Sequence, residues 1–375
     1  MRILFVTNNF TPYSGGVVNS ITTTTQALQK AGHDVRIITL DFLGKRHQDL
    51  DYVIRVSCPI KFMYKTNHMA IPWRSYAHIY NFCTQWQPEI IHVHHPFLLG
   101  KNALEVAKQL HIPVVFTYHT IYEAYAHYIP FFNSITRRIT KKVVNTFCNE
   151  VDGILVPAKP IMDDLIQRQI TSPLTVIPSS IDDQFFQKKP EPKKKKDPFQ
   201  LLVVSRFAQE KNIPFLLDLM QDLPSYISLT LVGYGSEYEF LQYYAYQQLG
   251  LSPERVQFIY KPSKEDLLTL YQSADLFVFS SKTDTQGLVL AEAMACGTPV
   301  IALNGPGQCD SVKNNYNGFL VETREEMREK ILHIFQDDNL HLHLQQGAWQ
   351  TAQKYQSKFI VEKMLNFYGT VKGYK

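Results

Sequence analysis

Short apolar runs alternate along the chain with longer segments whose apolar residues recur every three or four positions. This alternation is typical of parallel β-strands connected by amphipathic helices. The apolar runs predict two successive series of six strands. The first series comprises Arg2–Thr7, Asp34–Thr39, Ile90–His94, Val114–Tyr118, Gly153–Val156 and Leu174–Ile177. The second comprises Leu201–Ser205, Ser228–Val232, Val256–Tyr260, Leu276–Phe279, Val300–Leu303 and Gly318–Val321. The pattern therefore predicts an α/β protein with two doubly wound parallel sheets.

The amphipathic segments predict the helices that connect these strands. They include Val17–Ala31, Asn102–Leu110, Lys159–Ile170, Ile213–Leu223, Glu237–Leu249, Lys264–Ser273, Leu288–Ala295 and Glu325–Phe335. Between the two series lies the Lys- and Pro-rich segment Lys188–Pro198, which is predicted to be an exposed linker because its prolines lack backbone donors and its like charges repel. A nucleic-acid-binding arm is the alternative, disfavoured because the run is short and lacks interleaved aromatics. We expect one domain over residues 1–190, a second over 191–352, and a C-terminal helix within 353–375 that crosses back to the first domain.

Composition narrows the class of protein. A chain of 375 residues has room for two domains, each with its own core. A formal net charge of +4 indicates no particular partner, and the five cysteines lack the spacing of a metal site, as is typical of reduced thiols in the cytoplasm. The N-terminus resembles a first strand more than a signal peptide, and no apolar run approaches the roughly 20 residues of a spanning helix. We expect a cytoplasmic protein that reaches a membrane only from its surface.

The polar loop between the predicted strand Leu276–Phe279 and the predicted helix Leu288–Ala295 is the strongest candidate for a binding site. Backbone N–H groups at a helix start can bind an anion or a polar ligand. Asp284 lies in this loop, and Glu292 lies little more than one helical turn past the helix start. The segment therefore predicts a site for an anion or a polyol, with two carboxylates that can contact two parts of one ligand.

Two further strand ends carry groups suited to phosphate. Arg206 and Lys211 belong to one strand-to-helix loop, so their cationic groups can converge on a diphosphate. A solvated basic pair beside Glu210 explains the same spacing equally well. Gly15 and Gly16 precede the predicted first helix, which would let a phosphate approach its N-terminus, although paired glycines are more often a simple turn.

Histidines follow two strands of the first series. Alternation along a strand places His92 and His94 on one face, and His119 follows the next strand. Zinc binding is disfavoured because no cysteine or helical histidine pair supports it. Histidines in such positions often only pack or form hydrogen bonds, but the strand-end positions favour a functional role for His94 and His119.

These segments together resemble the retaining, nucleotide-sugar-dependent glycosyltransferases of family 4. Their GT-B fold has two Rossmann-like domains that face each other across a cleft. The resemblance covers nearly the whole chain and rests on Gly15–Val17, His92–His94, Thr117–Thr120, Val176–Ser179, Arg206–Lys211 and Asp284–Pro299. It implies a nucleotide-sugar co-substrate, with UDP-glucose as the default, and no metal or other cofactor.

The resemblance also implies roles for individual residues on the donor side. The amide of Gly16 would bind the β-phosphate of the donor, and Arg206 with Lys211 would neutralise the departing diphosphate. The donor sugar would be held by Asp284, Thr285, Gln286 and Gly287. Glu292 would bind the ribose, and Lys261 is a candidate for the base pocket.

The candidate catalytic residues implied by the resemblance are His119, near the reactive carbon of the donor sugar, and Asp284. His94 matches a neighbouring position. Asp284 is a departure, since the family has the longer Glu there, and it bears on the choice of donor sugar. The residues supply no obvious nucleophile, so we favour attack on the face from which the diphosphate leaves.

The acceptor side is expected in the first domain. The run Thr117–Glu123 resembles that of the bacterial diacylglycerol glucosyltransferases within family 4, which implies Tyr122, Glu123 and Tyr128 as acceptor residues. A helix follows in which Ile135, Ile139, Val143 and Phe147 form an apolar stripe flanked by Arg137, Arg138, Lys141 and Lys142. Such a helix suits an anionic membrane surface. A helix packed on the core with a solvated basic face is the more common alternative.

We therefore predict a retaining hexosyltransferase that moves a hexose, glucose by default, to a membrane lipid such as diacylglycerol from the inner face of the membrane. A transferase that extends a lipopolysaccharide or another surface glycan is the alternative within the enzyme class. A binding protein of the same shape is an alternative outside it. An NAD-type dehydrogenase is disfavoured because no G-x-G-x-x-G follows either first strand.

Overall fold

The computed structural model describes residues 1–13, 15–42, 50–64, 67–123, 134–192, 195 and 197–373. These residues divide into two compact units. Unit 1 consists of Met1–Ser180 and Ser357–Lys375, and unit 2 consists of Ile181–Gln356. The division falls after Ser180, earlier than the predicted boundary at residue 190, so the Lys- and Pro-rich segment belongs to unit 2.

Unit 1 is an α/β unit. Its strands are β1 (Arg2–Val6), β2 (Asp34–Leu40), β3 (Val53–Val56), β4 (Ile60–Tyr64), β5 (Asn67–Ile71), β6 (Ile90–Val93), β7 (Val114–Thr117), β8 (Gly153–Val156) and β9 (Leu174–Val176). The helices between them are α1 (Gly16–Lys30), α2 (Ser75–Trp86), α3 (Leu99–Leu110), α4 (Ser134–Cys148) and α5 (Lys159–Gln167). The described part of the sheet has the order β3-β2-β1-β6-β7-β8-β9 with all pairs parallel, and β4 and β5 form a separate antiparallel hairpin.

Unit 2 repeats the architecture. Its strands are β10 (Phe199–Arg206), β11 (Ile227–Tyr234), β12 (Val256–Tyr260), β13 (Leu276–Phe279), β14 (Val300–Leu303) and β15 (Gly318–Val321). Its helices are α6 (Ile213–Asp222), α7 (Tyr238–Tyr243), α8 (Lys264–Ser273), α9 (Leu288–Ala295), α10 (Arg324–Gln336) and α11 (Asp338–Ala352). The strand order is β12-β11-β10-β13-β14-β15, again all parallel.

The central strands of both sheets are mostly apolar, as is typical of parallel sheets that are covered on both faces. Every residue of β6, β7, β8, β13 and β14 is buried. Each unit accordingly has two apolar clusters of buried residues. This confirms the predicted α/β class with two doubly wound, Rossmann-like parallel sheets.

The last helix, α12 (Ser357–Gly373), belongs to unit 1. Its side chains Ile360, Met364 and Phe367 pack into the same cluster as Phe5 of β1 and Ile21 of α1. The core of unit 1 is thus built from both ends of the chain. Within the part of the chain that the structure describes, no helix is long and apolar enough to cross a membrane.

Candidate active site

The predicted phosphate-binding and sugar-binding loops meet in unit 2. β10 and β13 are neighbours in the parallel sheet, so the loops that follow them leave the same edge. The Nζ of Lys211, in the first loop, lies 2.5 Å from Oδ1 of Asp284, in the second. The structure therefore places a residue predicted to bind the diphosphate in direct contact with a residue predicted to bind the sugar.

Side chains of the second loop also bind the backbone of the first. The hydroxyl of Ser280 donates to the carbonyl of Lys211 over 2.8 Å, and that of Ser281 donates to the carbonyl of Glu210 over 3.0 Å. Because both hydroxyls are buried, these hydrogen bonds fix the position of one loop relative to the other.

The second candidate cation, Arg206, ends β10 and pairs with Glu210, whose Oε1 lies 2.7 Å from Nη2. The Arg206 side chain is 36% exposed, whereas that of Lys211 is only 11% exposed. The alternative of a solvated pair beside Glu210 thus describes the contacts of Arg206, but not those of the enclosed Lys211. Burial, together with the charge of Glu210, raises the pKa of the nearby Glu237.

Asp284 has an acceptor that its protein neighbours leave unused. Its Oδ2 atom is buried and has no hydrogen-bond partner among the described residues. A buried carboxylate oxygen without a donor is unfavourable. Oδ2 therefore keeps an unused capacity to accept a hydrogen bond while Oδ1 remains on Lys211.

The loop around Asp284 is shaped by two glycines. Gly287 caps α9 with φ at 66°, a left-handed conformation that favours glycine. Gly307, which the sequence reading missed, donates its N–H to the carbonyl of Asp284 over 2.9 Å. A Cβ atom on Gly307 would lie 2.5 Å from the backbone nitrogen of Gln286, so only glycine fits without displacing the loop. No local pattern marks Gly307, since its contact depends on the folded loop.

Glu292 lies on α9 and is held by a residue that sequence reasoning also missed. The hydroxyl of the fully buried Tyr271, on α8, donates to Oε2 of Glu292 over 2.7 Å. Burial raises the pKa of Glu292, and the bond from Tyr271 partly offsets this effect. Tyr271 thereby fixes one carboxylate oxygen and the orientation of the other.

Changing Tyr271 to Phe is expected to raise the KM for the nucleotide sugar about tenfold and to leave kcat almost unchanged, because the predicted ribose ligand loses its orienting hydrogen bond. Steady-state kinetics with varied donor measure the effect. Tyr355→Phe is the matched control, since Tyr355 is also a buried tyrosine of unit 2, with its hydroxyl 2.8 Å from that of Ser311. Equal KM values for the two variants would contradict the positioning role.

Lys261, the candidate for the base pocket, follows β12. Its side chain is exposed, with Nζ 5.3 Å above the rings of both Tyr234 and Tyr260. Its backbone N–H donates to the carbonyl of Gly233 over 3.1 Å. Lys261 thus lies beside the Gly-rich end of β11 with aromatic surface next to it.

In unit 1, Gly16 is the first residue of α1, with Gly15 as its N-cap. It carries one of the N–H groups that helix geometry leaves without an intrahelical acceptor. This is the local geometry that its predicted phosphate contact requires.

The histidines of unit 1 form a connected cluster. His94 Nδ1 lies 2.9 Å from His119 Nε2, and the ring of His94 stacks on that of His92 with centroids 4.5 Å apart. The buried His92 is bound by the hydroxyls of Tyr368, at 2.5 Å, and Thr117, at 2.6 Å. His119 is partly exposed, so this network reaches from α12 to the predicted catalytic histidine.

Burial keeps this cluster neutral. Desolvation lowers the pKa of His92 to about 3 and that of His95 to about 4. Desolvation, followed by repulsion from neighbouring histidines, also places the pKa values of His94 and His119 well below 6.5. The folded protein thus holds uncharged imidazoles where the unfolded chain would take up protons.

The unfolding free energy of unit 1 is therefore expected to be fully retained above pH 6.5 and to fall as the pH drops from 6.5 towards 4. Each histidine contributes a loss of up to about 1.4 kcal/mol per pH unit in that window. Urea denaturation at pH 7.5, 6.0 and 5.0 measures it. The measurement uses the Trp349→Phe variant. It removes the tryptophan of unit 2, so the fluorescence of Trp73 and Trp86 reports on the unfolding of unit 1.

Two variants separate the cluster from other histidines. His95→Asn removes one imidazole whose pKa is lowered by desolvation, and it should reduce the pH dependence of the unfolding free energy by up to about 1.4 kcal/mol per pH unit. His78→Asn, at an exposed position of α2, controls for the His-to-Asn exchange itself. A free energy of unfolding that is flat between pH 7.5 and 5.0 would contradict the prediction.

The predicted acceptor residues lie next to a buried ion pair. Glu123 is 8% exposed, and its Oε1 accepts from Nη1 of Arg168 over 2.6 Å. The ring of Tyr122 packs edge-on against Phe97 and Tyr118, with centroids 5.4 and 5.7 Å apart. Tyr128 lies outside the described residues.

Helix α4 presents apolar side chains outward. Ile135 is 63% exposed, Ile139 56% and Val143 42%, whereas Phe147, the next residue of the stripe, is buried, as is Val144. The alternative of a helix that packs its apolar stripe on the core is therefore wrong for the first three residues and right for Phe147.

No cluster of three or more His, Cys, Asp or Glu side chains that could hold a metal ion occurs among the residues that the structure describes.

Two family models match the chain in succession. Glycosyltransferase Family 4 matches residues 14–185, and Glycosyl transferases group 1 matches residues 184–351. The alpha-monoglucosyldiacylglycerol synthase of Streptococcus pneumoniae is 31% identical over 348 residues, which span 88% of this chain and 78% of that protein. The enzyme of the same name from Acholeplasma laidlawii is 26% identical and spans 95% of this chain and 93% of that protein. A GDP-mannose-dependent alpha-mannosyltransferase of Corynebacterium glutamicum is 27% identical, over 99% of this chain and 89% of that protein.

Solved structures share the fold. Sucrose-phosphate synthase from Thermosynechococcus elongatus superposes with a TM-score of 0.78 at 20% identity, over 100% of both chains. The Anabaena protein HepE, solved in complex with UDP-glucose, superposes with a TM-score of 0.76 at 18% identity, over 99% of this chain and 100% of that one.

Proposed function

This chain belongs to the family 4 glycosyltransferases, and from that membership we propose that it transfers glucose from UDP-glucose to a membrane lipid of the diacylglycerol class, with retention of the anomeric configuration. One observation carries the donor half of the proposal. The Lys211–Asp284 contact joins a cation suited to a diphosphate to a carboxylate whose buried second oxygen has no hydrogen-bond donor among the described residues. A nucleotide sugar has a diphosphate and hydroxyl donors in one molecule.

The donor is proposed to bind along the loops of unit 2. Arg206 and Lys211 contact the diphosphate, and Asp284 with its loop neighbours Thr285, Gln286 and Gly287 holds the sugar. Glu292, oriented by Tyr271, binds the ribose hydroxyls, and Lys261 lies near the base. UDP is the preferred nucleotide because HepE has been solved with UDP-glucose.

Catalysis is proposed to rely on stabilising the leaving group. As the bond between the anomeric carbon and the diphosphate breaks, negative charge grows on the β-phosphate, and Lys211, Arg206 and the amide of Gly16 stabilise it. The acceptor hydroxyl attacks from the same face and passes its proton to the departing phosphate oxygen. His119, uncharged at neutral pH, contacts the reacting sugar, and His94 orients its ring. A trapped glycosyl-enzyme detected by mass spectrometry would contradict this mechanism.

A lipid acceptor is supported by two observations. The relatives from S. pneumoniae and A. laidlawii are named as synthases of a glucosyl diacylglycerol. Helix α4 exposes Ile135, Ile139 and Val143, and its flanking cations suit an anionic bilayer. We propose that α4 contacts the membrane and that Tyr122 and Glu123 lie on the acceptor side.

The proposal is tested by incubating the protein with labelled UDP-glucose and diacylglycerol in mixed micelles. A chloroform-soluble α-glucosyl diacylglycerol, identified by its anomeric proton coupling, is the expected product. Asp284→Asn keeps the shape of the side chain but removes its charge and should abolish most turnover. Product formed only on a sugar-bearing acceptor would instead support a glycan-extending transferase.

A different donor is the second candidate, because the C. glutamicum relative is named for GDP-mannose and matches nearly the full chain. A thermal-shift screen of UDP, GDP and their sugars distinguishes the two donors, since only ligands that prefer the folded state raise the melting temperature. Stabilisation by UDP and UDP-glucose is expected. Stabilisation by GDP alone would overturn the choice of nucleotide.

A further inference from the structure

The hydrogen bond between His94 and His119 contains one proton, which belongs to one of the two rings. Nδ1 of His94 lies 2.9 Å from Nε2 of His119, and the two ring planes are 24° apart. Both rings are neutral at neutral pH because desolvation lowers their pKa values. A neutral imidazole has one N–H and one bare nitrogen, so one ring donates and the other accepts. The direction of this bond decides which nitrogen of His119 carries a proton.

The surroundings of His94 decide the direction. Its side chain is 3% exposed, and its other nitrogen, Nε2, is buried without a hydrogen-bond partner among the described residues. If Nε2 carried the proton, a buried N–H would have no acceptor, and such groups are rare in proteins. A bare Nε2 leaves only a lone pair unused. His94 therefore carries its proton on Nδ1 and donates it to His119.

The neighbours of His94 hold its ring in this orientation. The ring stacks on that of His92, with centroids 4.5 Å apart and planes 18° apart. Phe5 packs edge-on against both rings, at 5.2 Å from His92 and 4.9 Å from His94. His92 is itself bound at both ring nitrogens, by the hydroxyls of Tyr368 and Thr117. Turning the His94 ring over would put a carbon atom in place of Nδ1 and break the bond, so the donor is presented from a fixed position.

The direction of the bond determines what His119 can do. Its Nε2 accepts the proton of His94, so its own proton lies on Nδ1. An imidazole in this state has no lone pair left, since one nitrogen is protonated and the lone pair of the other is occupied. His119 can therefore donate a hydrogen bond, but it cannot take a proton from an acceptor hydroxyl.

We propose that His94 is a positioning residue that locks His119 in the tautomer protonated on Nδ1, so that His119 acts on the reacting sugar as a hydrogen-bond donor and not as a general base. This inference rests on the proposed glucose transfer and deepens it. The bond from the anomeric carbon to the diphosphate breaks, and its electron pair stays on the phosphate oxygen. The acceptor oxygen bonds to the anomeric carbon and its proton passes to that phosphate oxygen, while His119 keeps its own proton throughout.

Nitrogen NMR of the full chain, labelled with ¹⁵N in histidine only, measures the tautomer without any substrate. Protonated and bare ring nitrogens resonate in separate ranges, and correlations with the ring hydrogens distinguish Nδ1 from Nε2. The signals of His119 are identified by their loss in His119→Ala. We expect a protonated Nδ1 and a bare Nε2 on His119. A proton on Nε2 of His119 would overturn the proposal.

Two variants at position 94 test the consequence for catalysis. Asn can place an amide N–H near the position of Nδ1, whereas Leu fills a similar volume beside His92 and Phe5 without a donor. His94→Leu should lower kcat with labelled UDP-glucose about tenfold, with the KM for the donor within about twofold, and should give His119 a mixture of tautomers. His94→Asn should keep the tautomer and most of kcat.

Equal kcat values in the two variants, whether high or low, would overturn the positioning role, because the donor group would then make no difference. Melting temperatures show whether each variant is folded. If His94→Leu does not fold, His94→Asp is compared with His94→Asn; its carboxylate accepts but does not donate, so it should move the proton of His119 to Nε2 and lower kcat. A wild type that transfers no glucose would contradict the proposed function and not the tautomer, which the spectra report independently.

Discussion

Replacing Lys211 with methionine is expected to lower kcat/KM for the nucleotide sugar by about a hundredfold to a thousandfold. Methionine keeps much of the length of the side chain but removes the charge that would stabilise the departing diphosphate. It also leaves the enclosed carboxylate of Asp284 without its cation, which adds a smaller loss of folding stability. Steady-state kinetics with labelled donor, together with the melting temperature of each variant, separate the two effects.

The matched control is Lys195→Met. The Lys195 side chain is 15% exposed and its Nζ lies 2.6 Å from Asp338, so this lysine of unit 2 is also enclosed and paired. It lies outside the loops assigned to the donor, and its replacement should leave kcat/KM unchanged. Comparable losses in both variants would mean that Lys211 acts only through stability.

Changing His119 to Ala is expected to lower kcat about a hundredfold while the protein still binds donor. The imidazole is placed by His94 and kept neutral by its buried surroundings, so the variant loses the group that we propose to contact the reacting sugar. Quenched-flow or steady-state assays report turnover, and thermal shifts with UDP-glucose report donor binding.

His343→Ala serves as the control, since His343 is exposed on α11, where its ring contacts the carbonyl of Asn315. It should retain full activity. Full activity in His119→Ala as well would remove His119 from the mechanism and would require another explanation for the histidine cluster.

The fold was predictable because its determinants are local. The buried strands β13 and β14 are continuous apolar runs, and helix α9 matches its predicted bounds. The hairpin of β4 and β5 was not predicted. Its apolar residues, among them Ile60 and Phe62, are exposed, so the hairpin lacks the buried apolar face by which the other strands are recognised.

The site was predictable only as a set of separate loops. The sequence marks Lys211 and Asp284 as polar residues after strands, but their contact spans 73 positions and exists only because β10 and β13 are neighbours. No sequence pattern within α8 marks Tyr271 as a functional residue, because its hydrogen bond to Glu292 depends on how α8 packs beside α9. Tyr368 is 276 positions from His92. Such pairs are set by tertiary packing, which no periodicity encodes.

The return of α12 to unit 1 has a consequence for how the protein is made. Unit 2 is one uninterrupted segment, Ile181–Gln356, whereas unit 1 needs Ser357–Lys375 to cover the face that includes Phe5 and Ile21. Synthesis runs from the N-terminus, so the ribosome must release the last helix before the first unit can close its core. The unit that is translated first is thus the last to be completed, and until then its uncovered apolar face is a target for chaperones.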